Sequence, residues 1–175
     1  IKGKTLGIIG FGNVGRRFAE ICKVLGLKVL IVSKSFIAVK DQYPDYRSCD
    51  LNEVLKQADI ISFHCKPNND GSSVITSKEL NLMKKNAFII NTARGNLVSE
   101  VDLCEAIKAN KIGGAAIDVF ETEPATNNVL FGLENVLLTP HIAASTSEAQ
   151  IIVAEMVANQ FVEYFLNNRV INEVT

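Results

Sequence analysis

Three short segments of the chain carry side chains that could do chemistry together. Arg94 stands in Asn91-Thr92-Ala93-Arg94-Gly95, Glu123 in Asp118-Val119-Phe120-Glu121-Thr122-Glu123-Pro124, and His141 in Thr139-Pro140-His141-Ile142. An arginine, an acid and a histidine are the set that reduction of a 2-keto acid requires. The guanidinium holds the substrate carboxylate, the histidine protonates the developing alkoxide, and the carboxylate favours the charged form of the histidine.

A fourth segment points to the second reactant. Gly10-Phe11-Gly12-Asn13-Val14-Gly15 is a G-x-G-x-x-G that follows an apolar run and opens an amphipathic one, the setting in which the pattern has a mechanism. Gly10 permits the tight turn, Gly12 lets backbone approach a pyrophosphate, and Gly15 lets helix and strand pack closely. The amides of Asn13 and Val14 would face the phosphates from the positive end of the helix. The second strand decides which dinucleotide binds, because an acid at its end selects the ribose diol of NAD. This chain reads Val32-Ser33-Lys34-Ser35 there. A lysine between two hydroxyls suits a 2′-phosphate, so NAD and NADP both stay open, and Lys66 is expected near the same ribose.

Elements must bring these segments together. The pattern predicts strands at Leu6 to Ile9, Lys28 to Val32, Asp59 to Phe63, Ala87 to Asn91, Gly113 to Val119 and Asn135 to Thr139. Helices are predicted at Val14 to Leu25, Leu51 to Gln57, from Ser77 to near Met83, from Ser99, and at Thr146 to Asn167. Met83 and Phe88 are expected in the core. Strands that are apolar throughout and alternate with helices predict an α/β fold, a doubly wound, Rossmann-like parallel sheet with helices on both faces. Ligands of such sheets bind beyond the carboxyl ends of the strands, where all four segments fall.

Composition narrows the class. The net charge is −1, with no basic run to suggest nucleic acid or an anionic membrane surface. Cys22, Cys49, Cys65 and Cys104 are scattered and, with two histidines, give no metal-ligand spacing. They fit a reducing, cytoplasmic setting. No apolar stretch reaches the ~18 residues of a membrane span. The 175 residues make about one domain, and a chain that opens on Ile1 is expected to be a single nucleotide-binding domain, 1–175, excised from a longer protein.

The four segments, in this order, resemble the D-isomer-specific 2-hydroxyacid dehydrogenases, and the match runs from Lys4 to about Asn172. The resemblance implies an oxidoreductase of D-2-hydroxy and 2-keto acids in which Arg94 binds the substrate carboxylate and keto oxygen, His141 is the acid-base residue and Glu123 its partner. Spacing to Pro124 favours Glu123 over Glu121. Asp118 would meet the nicotinamide carboxamide, with Thr92, Ala93 and Ile142, Ala143 and Ala144 beside the ring. Cys65 falls where the family sets a residue against the cofactor ahead of a proline, but here Lys66 intervenes before Pro67. Ser33 stands where an NAD-selecting Asp is expected.

Within the family, Glu123-Pro124-Ala125-Thr126 and Ala144 to Gln150 are most similar to the members that act on D-3-phosphoglycerate, which makes that substrate the leading expectation. The members that reduce glyoxylate or hydroxypyruvate fit Ser33-Lys34-Ser35 better. Related co-repressors keep the domain as a dinucleotide-sensing module. His64 is expected to orient backbone rather than to catalyse. The last helix carries Ile151, Ile152, Met156, Phe161, Val162 and Phe165, more apolar positions than one narrow stripe holds. Part of this helix is expected to cover the sheet and the rest to meet a second subunit, with packing on the core alone as the alternative; dimers of the family form through this domain, so a homodimer or larger assembly is expected.

Overall fold

The computed structural model describes residues 1–173 and divides at residue 140 into two compact units, Ile1–Pro140 and a second that begins at His141. The first unit holds a seven-stranded sheet. Its strands are β1 (Thr5–Ile9), β2 (Lys28–Val32), β3 (Arg47–Ser48), β4 (Ile60–Phe63), β5 (Phe88–Asn91), β6 (Gly114–Ile117) and β7 (Val136–Leu138). They run in the order β3-β2-β1-β4-β5-β6-β7, and every pairing is parallel. This is the Rossmann-like, doubly wound sheet that the alternation of apolar runs and helices predicts. The order reverses between β1 and β4, so a crevice opens beyond the carboxyl ends of those two strands.

Helices α1 (Asn13–Val24), α2 (Lys34–Ile37), α3 (Leu51–Gln57), α4 (Ser77–Leu80) and α5 (Glu100–Lys108) complete the first unit. Alternate side chains along the strands enter two separate cores, as the period of two requires. Leu6, Ile8, Val29 and Ile31 pack with Ala19 and Cys22 of α1. Ile9, Leu30, Ile61, Ile89 and Ile117 pack with Val54 and Leu55 of α3 and Leu103 of α5. Helix ends are closed locally: the side chain of Asp50 accepts from the Glu53 amide at 2.8 Å, and Ser99 Oγ accepts from the Asp102 amide at 3.3 Å.

Four expectations need correction. Strand β3 and the short helix α2 are absent from the sequence reading; β3 has two exposed residues, too few to show a periodicity. Helix α4 is capped by Thr76 rather than Ser77. The Thr76 amide and hydroxyl both donate to Glu79 Oε2, at 3.0 and 2.6 Å, so the carboxylate of the T-x-x-E pattern closes the start of the helix. Phe88 is 46% exposed, whereas Met83 is buried. Phe88 lies on the half of the sheet opposite α5 and lines a groove of about 490 Å³ with Ile60, Ile90, Ala116 and Leu137.

The second unit is a loop leading into α6 (Ser147–Asn167). Thr146 Oγ1 accepts from the Ala149 amide at 3.2 Å, and Gln150 Nε2 donates to the Ala144 carbonyl at 3.2 Å, which ties the loop to the first turn. Ile151, Ile152, Met156, Phe161, Val162 and Phe165 on α6 are exposed. Among the described residues no helix is long and apolar enough to cross a membrane.

Candidate dinucleotide and active site

The phosphate loop is shaped by what a side chain would strike. Gly10 has φ +100, and a Cβ there would sit 2.3 Å from the His64 carbonyl oxygen; at Gly15 it would sit 2.4 Å from the Gly10 carbonyl oxygen. Both contacts are far below van der Waals distance, so neither glycine can be replaced without moving backbone. Gly12 is different: a Cβ would meet nothing within 4 Å. The space over Gly12, at the start of α1, is the cradle a phosphate needs, and Asn13 and Val14 lie exposed beside it. The residues present therefore fit a dinucleotide.

Phe11, between the first two glycines, is turned the other way. It is 2% exposed and meets Phe36 at 4.8 Å, Tyr43 at 5.1 Å and Tyr46 at 6.1 Å between ring centroids. The Arg16 guanidinium carbon lies 5.7 Å from the Phe11 centroid. This aromatic cluster joins the phosphate loop to the segment after β2, where Ser33 Oγ and Ser35 Oγ lie 2.9 Å apart and Lys34 is exposed between them. Sequence reasoning missed the cluster; the signal was a phenylalanine inside the glycine pattern with two tyrosines about thirty residues later.

His64 is held under the loop. Its Nε2 lies 3.0 Å from Ser62 Oγ and its ring 5.3 Å from that of Phe18. Burial holds its pKa below the ordinary 6.5. Burial likewise raises the Cys65 thiol above its usual range. Cys65, Lys66, Val14, Thr92, Ala93 and Arg94 line one cleft of about 290 Å³. Lys66 thus belongs with Arg94, and Ser33 and Lys34 are not among the lining residues. The expectation that Lys66 shares a site with Lys34 is not what the cleft presents.

Arg94 is placed by its own turn. Buried Asn91 donates through Nδ2 to the Arg94 carbonyl at 2.8 Å and accepts from the Ala93 amide at 3.1 Å. The exposed guanidinium donates through Nη1 to the Ala93 carbonyl at 2.6 Å. Gly95 then passes against the loop that follows β6: a Cβ there would lie 2.0 Å from the Phe120 carbonyl. That loop is itself closed by Glu123 Oε1, which accepts from the Phe120 amide at 3.0 Å. Glu121 is committed elsewhere, exchanging amide-to-carboxylate bonds with Glu100 at 3.2 and 2.9 Å. Buried Asp118 accepts from Thr139 Oγ1 at 2.5 Å, and its amide donates to the Asn91 carbonyl at 2.9 Å. Asn91, Gly95 and Thr139 are positioning residues that sequence reasoning left without a role.

The first unit therefore brings together Gly10, Gly12, Asn13, Val14, Gly15, Cys65, Thr92, Ala93 and Arg94 along the carboxyl ends of β1, β4 and β5, with Asp118 and Glu123 after β6. His141 opens the second unit with φ +56, in the left-handed region. Ile142, Ala143 and Ala144 follow it, and the Ser145 amide donates to the Ile142 carbonyl at 2.9 Å. Among the described residues no group of three histidine, cysteine or acidic side chains is placed to hold a metal ion.

Fold and site together define a nucleotide-binding domain of a dehydrogenase. Residues 1–143 match the family model described as D-isomer specific 2-hydroxyacid dehydrogenase, NAD binding domain, and the chain belongs to that family. It is 41% identical over 164 residues to the glyoxylate reductase of Thermococcus litoralis, covering 94% of this chain and 50% of that protein. It is 36% identical over 181 residues to the D-3-phosphoglycerate dehydrogenase of Escherichia coli, covering 99% of this chain and 43% of that one. The structure of an acyclic imino acid reductase in complex with NADPH and D-Arg superposes with a TM-score of 0.89 at 35% identity, over 100% of this chain and 55% of that one. The chain spans about half the length of the curated relatives it matches.

Proposed function

We propose that the chain is the nucleotide-binding domain, excised from a longer protein, of an NADP(H)-linked reductase of a short 2-keto acid such as glyoxylate or hydroxypyruvate. The observation that carries the reading is the turn of Arg94, locked by Asn91 and pressed through Gly95 against the loop of Glu123 on a dinucleotide-binding sheet. Ser33, Lys34 and Ser35 support the phosphorylated cofactor, because they place a cation and two hydroxyls where a carboxylate would select NAD. When bound, the nicotinamide supplies the hydride.

The protein's own groups do the rest. Arg94 holds the keto acid through its carboxylate and carbonyl oxygen, with a fork-shaped donor set suited to both. His141 is assigned the proton transfer to the carbonyl oxygen, and Glu123 the role of its partner. Asp118, Thr92, Ala93, Ile142, Ala143 and Ala144 are assigned to orienting the nicotinamide, and Gly10, Gly12, Asn13, Val14 and Gly15 to the diphosphate. The apolar positions of α6, more than one narrow stripe holds, support self-association. The four free cysteines support a reducing, cytoplasmic setting.

A second reading, oxidation of D-3-phosphoglycerate, is favoured by Glu123-Pro124-Ala125-Thr126 and by the stretch from Ala144 to Gln150. Steady-state assays of the complete protein with glyoxylate, hydroxypyruvate and 3-phosphohydroxypyruvate separate the two. Arg94→Ala and His141→Ala are each expected to cut turnover by about 100-fold or more. Near-normal turnover in both variants would overturn the assignment, and cofactor-dependent dimerisation without turnover would favour a co-repressor-like module.

A further inference from the structure

Lys66 has no role in holding the substrate or the nicotinamide. It stands where the family pattern carries the proline after Cys65, and it is exposed in the cleft that also contains Arg94. Two cations line this cleft, and none of the residues that line it is a carboxylate. Such a wall attracts anions. Arg94 serves one anion, the carboxylate of the substrate; a second anionic partner is needed to account for Lys66.

The dinucleotide offers two anions, the ribose 2′-phosphate and the diphosphate, and the geometry separates them. The chain that carries Lys66 runs directly beneath the phosphate loop, since a Cβ on Gly10 would meet the His64 carbonyl oxygen at 2.3 Å and the Cys65 amide nitrogen at 2.7 Å. Val14, at the first turn of α1, lines the same cleft as Lys66. No residue of β2 or α2 does, and β2 is separated from β4 by the whole of β1. A ribose 2′-phosphate held at Ser33 and Lys34 is therefore on the far side of β1. The phosphate loop itself, Gly10-Phe11-Gly12-Asn13-Val14-Gly15, supplies amides but no cationic side chain.

We infer that Lys66 is a cofactor-binding residue that pairs with the dinucleotide's diphosphate, supplying the charge that the glycine loop lacks. The inference rests on reading the cleft as the dinucleotide site. Because the diphosphate is common to both cofactors, Lys66 strengthens NADH and NADPH equally, while discrimination between them stays with Ser33 and Lys34. The ammonium is a point charge on a flexible stem, so its contribution is screened by salt more than that of the loop amides.

The test is a fluorescence titration of the full chain with NADH and with NADPH, at low and high salt, in wild type, Lys66→Ala and Lys66→Arg. Lys66→Ala is expected to weaken both cofactors by the same factor, about 10-fold at low salt. It should also flatten the salt dependence, and Lys66→Arg should restore most of the affinity. A loss confined to NADPH would move Lys66 to the 2′-phosphate and overturn the inference. Unchanged affinity for both cofactors would overturn it too. A wild type that binds neither cofactor would instead remove the reading on which it rests. Lys66 is exposed, so melting temperatures matching wild type are expected for both variants.

Discussion

The side chain of Asn91 is clamped across the turn that presents Arg94: Nδ2 donates to the Arg94 carbonyl at 2.8 Å and Oδ1 accepts from the Ala93 amide at 3.1 Å. Asn91 is 1% exposed, so both of its bonds replace water that cannot reach it. Asn91→Ala leaves the Ala93 amide and the Arg94 carbonyl without these partners and frees the turn. We expect kcat/KM for the keto acid to fall about 10- to 100-fold, with cofactor affinity changed by less than about 3-fold. Paired steady-state kinetics and cofactor titration check this; a loss confined to cofactor affinity would contradict it.

Gly95 transmits that placement to the next loop. A methyl group there would fall 2.0 Å from the Phe120 carbonyl and 2.5 Å from the Glu121 amide nitrogen, both backbone. Neither partner can rotate away. Gly95→Ala is expected to destabilise the fold by about 2 kcal/mol or more and to abolish most turnover, because the segments of Arg94 and Glu123 are forced apart. Thermal unfolding together with residual activity below the melting point distinguishes this from a change in surface chemistry.

Discrimination between cofactors should reside in the segment after β2. Lys34 is exposed and its neighbouring hydroxyls are 2.9 Å apart, an arrangement open to a phosphate. Lys34→Ala is expected to raise the Kd of NADPH about 10-fold and leave that of NADH unchanged. Ser33→Asp should reverse the preference by repelling the 2′-phosphate and accepting the ribose diol. Titration of each variant with both cofactors reads the ratio directly.

Much of this site is legible in the sequence because its segments follow apolar runs of parallel-strand length. Gly10 to Gly15, Thr92 to Arg94 and Asp118 to Glu123 all fall where β1, β5 and β6 end. The positions that failed are those whose surroundings come from distant chain. Phe88 reads as a core residue, yet it is 46% exposed and lines a groove with residues of β4, β6 and β7 that are distant in the chain. Lys66 reads as a neighbour of Lys34 because both follow strands; β1 stands between their strands in the sheet order. Thr139 carries no sequence signal as the donor to Asp118, because the pair lies 21 residues apart and meets only through the pairing of β6 with β7.

Phe11 ties the phosphate loop to the cofactor-selecting segment, so its loss should be felt in both. The ring is 2% exposed, and it meets Phe36, itself fully buried, at 4.8 Å. Truncating either aromatic ring leaves a cavity and costs about 3–5 kcal/mol. Phe36→Leu keeps most of the volume and should cost less, while still weakening NADPH more than NADH because α2 carries Lys34. Chemical denaturation and the two titrations on the same variant check both halves.

The half-buried histidine under the loop makes stability depend on pH. Burial lowers the pKa of His64 from 6.5, so between the lowered value and 6.5 the unfolded chain holds a proton that the folded chain does not. Stability therefore rises with pH through this window, is fully present above 6.5 and is lost as pH falls. Asp59 acts with the same sign at more acidic pH: the bond from the Thr5 amide, 2.8 Å long, lowers its pKa, and that contribution is lost when the carboxylate is protonated. Melting temperatures of the full chain from pH 3 to 8 should fall below pH 6.5, and His64→Gln should flatten the curve just below 6.5 while leaving the loss carried by Asp59 at more acidic pH in place. An unaltered slope in the variant would assign the acid sensitivity to other groups.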